Sequence, residues 1–318
     1  MTTTYDIVAD IGGTNARFAC ALADSSELLH IQSLKGATHP RLEDAFRAYV
    51  DSIPGCEVAT LCMAVAAPVE HDPIRLTNSP WVFSRAELAA ALGCEVLIIN
   101  DFTAQAACLD VLAPTELEWW GAPRPSGGRV RVVLGPGTGL GVAGISPDGS
   151  VMPTEGGHVG FAPSNAHELQ ILELLLEQFE RVSVERLLSG PGLCTLYAAN
   201  AALNGTRAEA PSAADITKHA QHGDALCLQT TNDFLDILAT VAGDYALGMG
   251  ARDGVYLTGG ILPQLGALLD PERFRQRFDA KGRMRPYCAS TPLALIKADN
   301  TGLRGCLAAL RKMQRQAA

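Results

Sequence analysis

Lysine is scarce in this chain. Only Lys35, Lys218, Lys281, Lys297 and Lys312 occur among 318 residues, and the formal net charge is -9. A basic stripe that could follow a phosphate backbone is missing, which makes nucleic acid and an anionic membrane surface poor partners. Paired cysteines are missing too. The nine cysteines (20, 56, 62, 94, 108, 194, 227, 288 and 306) are odd in number and form no C-x-x-C pair. Reduced thiols in the cytoplasm fit that pattern; a disulfide framework or a cysteine-rich zinc site does not. No apolar run approaches the roughly 18 residues that span a membrane. Residues 1–13 have neither a basic n-region nor a long apolar h-region, so no membrane association is expected. What is plentiful is apolar material, 47% of the chain against 19% charged, enough for one large or two moderate cores.

The order of patterns is that of an α/β protein. Residues 5–9 and 16–22 read as paired strands, 40–53 as a helix and 59–66 as a buried strand. Ser84 and Glu87 stand at capping-box spacing and open a short helix that stops at Gly93. A strand at 95–99 ends in Asn100-Asp101, and a helix continues from 103 to 112. Side chains between a strand and a helix sit at the carboxyl edge of a sheet, where open α/β folds bind ligands. The Pro/Gly-rich stretch 122–128 is the best linker candidate, with a domain boundary near 110–125. A strand, glycine turn and strand follow at 129–145, echoing the first hairpin and suggesting a duplication. Helices are expected at 165–179, 184–188, after Ser212, and at 224–249. A strand runs from 254 into Gly259-Gly260, and a terminal helix covers 300–314.

Three glycine turns carry the chemistry. The opening loop, Asp10-Ile-Gly-Gly-Thr14, lacks the spacing of a dinucleotide fingerprint and leads into a strand, and no G-x-x-x-x-G-K-[ST] exists anywhere in the chain. Such a hairpin turn can still offer backbone N–H groups and a hydroxyl to phosphate oxygens, with Asp10 placed to hold a divalent cation through water. A plain tight turn capped by Asp10 is the alternative. The second loop, Gly135-Pro-Gly-Thr-Gly-Leu-Gly141, favours the ligand reading, because alternating glycines are unfavourable for stability alone. Gly259-Gly260 is a weaker signal of the same kind.

The acceptor side is polar. Asp101 is a candidate general base, or else the N-cap of the helix that follows. Glu155-Gly-Gly-His158 and Glu185 supply carboxylates and an imidazole suited to a polyol, with the segment 76–79 adding hydroxyl and amide groups. Zinc at His158 is disfavoured because no thiol pair lies near it. Phosphate loops combined with polyol-binding groups indicate sugar phosphorylation.

These residues resemble a known family, the bacterial ATP-dependent glucokinases, hexokinase-related sugar kinases of the actin-like ATPase superfamily. The resemblance is carried, in order, by ADIGGTNARFA (9–19), LTNSPW (76–81), IINDFTAQA (98–106), LGPGTGLGVA (134–143), TEGGHVGFAP (154–163), ERLLSGPGL (185–193) and YLTGGILP (256–263). It implies an α/β, two-domain actin-like ATPase (ribonuclease H-like) fold: a small domain of residues 1–112 plus 299–318 and a large domain of 113–298, closing over the sugar around a cleft. By the same resemblance, Ala9, Asp10, Ile11, Gly12, Gly13 and Thr14 would hold ATP phosphates together with Gly137, Thr138 and Gly139. Asp10 would serve a Mg2+ ion, and Gly259 and Gly260 would lie near the adenosine. Asn100, Asp101, Glu155, His158 and Glu185 would bind glucose, with Asp101 as base for the 6-hydroxyl. A homodimer is expected. Pro136 and Gly160 depart from the family pattern, and the cysteine-rich motif of the zinc-bearing branch is absent. A kinase for another hexose or amino sugar, and a non-catalytic sugar-binding regulator, are the competing readings.

Overall fold

The apolar run near the start of the chain looks continuous because it is buried on both faces. The computed structural model describes residues 2–13, 15–76, 81–206 and 209–317. Strand β1 (Thr3–Ile11) sends Ile7, Ala9 and Ile11 into one core and Val8 into another. It lies within a five-stranded sheet with β2 (Asn15–Ala21), β3 (Leu29–Lys35), β4 (Cys56–Val65) and, after the short hairpin of β5 (Ile74–Arg75) and β6 (Val82–Phe83), β7 (Glu95–Asn100). The order is β3-β2-β1-β4-β7. The β3-β2-β1 part is an antiparallel meander, and β4 and β7 add in parallel.

Helix α1 (Leu42–Asp51) covers one face through Leu42, Phe46 and Tyr49, and Phe18 stacks on Tyr49 at 5.1 Å between ring centroids. The other face is covered by α3 (Asp101–Cys108) and the C-terminal helix Thr301–Ala317, through Ala104, Leu303, Cys306, Leu307 and Leu310. These two helices approach so closely that a Cβ on Gly305 would overlap the Ala104 carbonyl.

Helix α2 (Arg85–Leu92) starts where the capping-box spacing predicts, but Ser84 does not cap it. The Ser84 hydroxyl donates to Asp72 Oδ2 at 3.1 Å, and the Arg85 N–H donates to Asp72 Oδ1 at 3.2 Å. An acceptor twelve residues upstream takes the cap, satisfying one of the orphan donors at the helix start. The helix ends as expected at Gly93, whose φ of +68° suits glycine.

A second sheet joins β8 (Leu117–Trp119), β9 (Arg131–Pro136), β10 (Leu140–Ile145), β11 (Val151–Thr154), β12 (Val255–Leu257) and β13 (Leu293–Ile296), in the order β11-β10-β9-β12-β13-β8. Its β11-β10-β9 meander is antiparallel, with β12 and β13 added in parallel. Apart from β8, this repeats the plan of the first sheet strand for strand, so the echo between the two glycine hairpins is an echo of whole sheets.

Helices α4 (Ala166–Leu176), α5 (Gly190–Leu203), α6 (Ala213–Gln221) and α7 (Ala225–Gly248) start on Asn165, Ser189, Ser212 and Asp224, and each of these side chains accepts a backbone N–H of the first turn. The Ser189-Gly-Pro-Gly segment therefore opens a helix as well as closing the short 3-10 turn Val184–Arg186. Next come α8 (Leu262–Leu265), α9 (Pro271–Asp279) and α10 (Arg285–Ala289), and the helices pack Leu193, Phe234, Leu238, Phe274 and Phe278 with the sheet's Val132, Leu134 and Leu257.

Two compact units result, Met1–Pro114 with Ala298–Ala318, and Thr115–Lys297. The stretch 122–128, read from composition as a linker, belongs to the second unit. Asp253 ties it down by accepting the N–H groups of Ser126, Gly127 and Arg129 at 2.9, 3.0 and 2.8 Å. No described helix is long and apolar enough to cross a membrane.

Candidate active site

In the first unit the polar candidates gather at strand ends. Asp10 lies one residue before the end of β1 and pairs across the hairpin with Arg17, its carboxylate 3.7 Å from that guanidinium. Its side chain is 24% exposed. Burial pushes the Asp10 carboxyl above its ordinary range, against the pull of Arg17. The first turn of the C-terminal helix abuts it: a Cβ added to Gly302 would lie 2.7 Å from Asp10 Oδ2. In the turn, the Gly12 N–H donates to the Asn15 carbonyl at 3.0 Å, so that donor serves the hairpin. Ala9 and Ile11 are buried core residues of β1. Thr14, and residues 77–80 of the 76–81 segment, lie outside the described residues.

One recessed carboxylate suits a magnesium ion, which keeps several waters and takes few protein ligands when substrate phosphates supply the rest. A zinc-like enclosure is a different matter. Among the described residues no group of three or more His, Cys, Asp or Glu side chains is gathered as metal ligands are.

At the end of β7 the two adjacent polar residues divide their work. Asn100 is the N-cap of α3, its Oδ1 accepting the N–H groups of Phe102 at 2.8 Å and Thr103 at 3.3 Å. Its Nδ2 donates to the Ala67 carbonyl at 3.4 Å. Asp101 is the first helical residue, and its Oδ1 also accepts the Phe102 N–H, at 2.9 Å. The cap that sequence offered to Asp101 thus belongs chiefly to Asn100. The carboxylate stands in the first turn of the helix.

The second unit brings its candidates into one cluster. The 3-10 turn Gly156–His158 has about three residues per turn, so side chains three apart eclipse. Glu155 and His158 therefore share a face, with His158 Nε2 3.9 Å from Glu155 Oε2. His158 Nδ1 is 3.9 Å from Glu185 Oε1 on the opposite side. Glycine is required between them: a Cβ on Gly157 would strike the Leu140 carbonyl, and one on Gly156 would lie 2.7 Å from the Tyr245 hydroxyl. That hydroxyl donates to the Gly156 carbonyl at 2.5 Å, and burial pushes its pKa up to about 12. Arg181 donates to the His158 carbonyl at 2.7 Å.

The glycine loop between β9 and β10 is part of the same cluster. The Leu140 N–H donates to Glu185 Oε2 at 2.8 Å, and the Gly190 N–H donates to the Gly137 carbonyl at 2.8 Å. The turn is closed internally by the Gly137 N–H on the Gly139 carbonyl, at 2.7 Å, with Thr138 at its tip. Gly259, at φ +102°, leaves β12 against the backbone of Gly135 and Pro136, where no side chain fits. Pro136, an unexpected residue for that loop, is accommodated as the last residue of β9. Gly160 forms an isolated bridge with Ser183. Gly260 has open space around the position a Cβ would take.

The spacing G-x-G-x-x-G does occur once, at residues 139–144, but it runs along strand β10 rather than through a strand-to-helix turn, so it is no dinucleotide fingerprint. Sequence reading missed Gly302, Arg181 and the Leu140 N–H. None of these three had a local signal, because each meets its partner through tertiary packing, whereas hairpin register alone places Arg17 opposite Asp10.

A chain with duplicated sheets, glycine turns at matching places and a carboxylate and imidazole cluster can be compared with proteins of known kind. The family model described as Glucokinase matches residues 7–313. The glucokinase of Chromohalobacter salexigens is 44% identical over 309 residues, covering 96% of this chain and 97% of that protein. That of Hahella chejuensis is 41% identical over 315 residues, covering 98% of each. Among solved structures, the glucokinase of an Antarctic psychrotroph matches with a TM-score of 0.85 at 35% identity, covering 97% of this chain and 99% of that one. Nearly the whole sequence and both sheets are accounted for by these likenesses, and the chain therefore belongs to the glucokinase family and has its two-domain actin-like ATPase fold.

Proposed function

We propose that this protein transfers the γ-phosphoryl group of ATP to the 6-hydroxyl of D-glucose, with Asp101 as the general base. The observation that carries the reading is the Glu185 carboxylate. It faces His158 on one side and holds the glycine loop through the Leu140 N–H on the other. A group suited to sugar hydroxyls and a loop suited to phosphates are thereby built from adjacent atoms. Glu155, His158 and Glu185 bind hydroxyls, and Asn100 fixes the start of the helix that presents Asp101. Asp101 accepts the hydroxyl proton as the phosphoryl group moves in line, and positioning supplies most of the rate. Gly137, Thr138, Gly139 and the loop from Ala9 to Thr14 take the phosphates, and Gly259 and Gly260 let the adenosine approach the backbone. A magnesium ion held through water by Asp10 would neutralise phosphate charge. The protein acts in the cytoplasm as a homodimer.

Asp101→Ala tests the assignment. Coupled ADP release should fall to background while glucose affinity by calorimetry stays within about tenfold, or roughly 1.4 kcal/mol. Full residual turnover would remove Asp101 as base. A panel of glucose, mannose, fructose and N-acetylglucosamine in the same assay reads the acceptor, with glucose expected to give the highest kcat/KM. Sugar binding without any ADP release from the unaltered protein would favour a regulator.

A further inference from the structure

Gly139 stands in the loop assigned to phosphate, yet its nearest neighbours belong to the sugar cluster. The three atoms closest to a Cβ placed there are all from the Glu185 carboxyl group, and Oε2 would be in collision. No positive φ demands glycine at this position. What excludes a side chain is the carboxylate itself. Gly135 and Gly259 differ, because they face backbone that cannot yield.

Glu185 is held where that exclusion matters. Its Oε2 accepts the N–H of Leu140, the residue after Gly139, and its Oε1 faces His158. The segment behind it is stiff. The Ser189 hydroxyl donates to the Glu185 carbonyl at 2.9 Å, and the N–H of Gly190 fastens the Gly137 carbonyl. The loop 137–140 is thus clamped at both ends by residues 185–190, at one end through a carboxylate that is only 31% exposed.

We propose that Gly139 is a positioning residue for the Glu185 carboxylate, so that the phosphate loop and the sugar-binding carboxylate move as one body and the two substrates are coupled through the bond from Leu140 N–H to Glu185. This rests on the reading of Glu185 as a sugar ligand. A methyl group at residue 139 displaces the flexible end of Glu185, breaks its bond to Leu140 and turns it from His158, while the backbone stays where it is.

The test is a double-mutant cycle on glucose affinity, measured by calorimetry without nucleotide in folded protein of unchanged melting temperature. Gly139→Ala should raise the glucose Kd at least fivefold in the otherwise unaltered chain and less than twofold on a Glu185→Ala background. Equal effects on both backgrounds, or none on either, would overturn the proposal. If Gly139→Ala does not fold, the reciprocal measurement decides. Glu185→Ala should then raise the ATP Kd, read in the absence of sugar, at least threefold, and an unchanged value overturns the coupling. An unaltered protein that neither binds glucose nor releases ADP would instead sink the kinase reading itself. Glucose binding with normal turnover but an additive cycle sinks only this inference.

Discussion

Asp10 shows how a single residue is set by its surroundings. Burial holds its carboxyl above the ordinary range, and on the role proposed for Asp10 its neutral form would hold a magnesium ion poorly. The apparent affinity for magnesium should therefore fall as pH drops through that raised value, at a higher pH than an exposed aspartate would give. Magnesium titrations of activity at a series of pH values check this, and Asp10→Asn should be weak and flat over the same interval. Gly302 is the matching steric test. A methyl group there, 2.7 Å from Asp10 Oδ2, should displace that carboxylate and raise the KM for magnesium–ATP by about tenfold, roughly 1.4 kcal/mol. The KM for glucose should hardly move.

At the scale of elements, caps and strand edges explain both what could be read in advance and what could not. Asn165, Ser212 and Asp224 cap the helices that follow them, and their signals lie within three residues of each helix start. The strand, Asn-Asp and helix sequence at 95–108 was equally legible, although which of the two polar residues takes the cap was not. Asp72 capping α2 could not be foreseen, because the chain must fold back before that carboxylate meets Arg85. The same holds for Glu185 on Leu140 and for Gly302 under Asp10, whose partners are distant in sequence. Spacing finds residues that share a turn; it is silent about those that meet only through tertiary packing. The loop at 122–128 is the instructive miss, since its prolines and glycines read as freedom while Asp253 removes it. Burial raises the Asp253 carboxyl, but the N–H groups of Arg129, Ser126 and Gly127 outweigh that and hold it below the ordinary value. Its contribution is present above the ordinary carboxylate pKa and is lost as pH falls through the depressed one. Asp253→Ala should lower stability by about 2–4 kcal/mol near neutral pH, an amount set by charged hydrogen bonds, and the gap in urea unfolding should close in acid.

For the whole molecule, the governing fact is that one unit is continuous in sequence and the other is not. Residues 298–318 complete the first unit, and Arg311 secures them. Its guanidinium donates to Asp6 Oδ2 at 2.6 Å, with the two side chains 11% and 5% exposed, and to the carbonyls of Leu22 and Ser25. Removing one partner of a buried pair costs about 3–5 kcal/mol. Arg311→Ala should accordingly lose hydrogen-exchange protection along β1 and the C-terminal helix while α7 keeps its own. Equal loss in α7 would mean that the two units unfold together.

The same discontinuity sets an order of events during synthesis. The ribosome finishes residues 115–297 before it makes the helix that covers Val8, Cys62 and Ala64. Domains fold as units while the chain emerges, so the second unit is free to mature on the ribosome. The first unit, although its sheet is made earliest, has one apolar face covered only in part, by α3, until residues 301–317 have emerged. A nascent chain stalled before residue 301 would hold a finished second unit and a first one whose sheet face is only half covered.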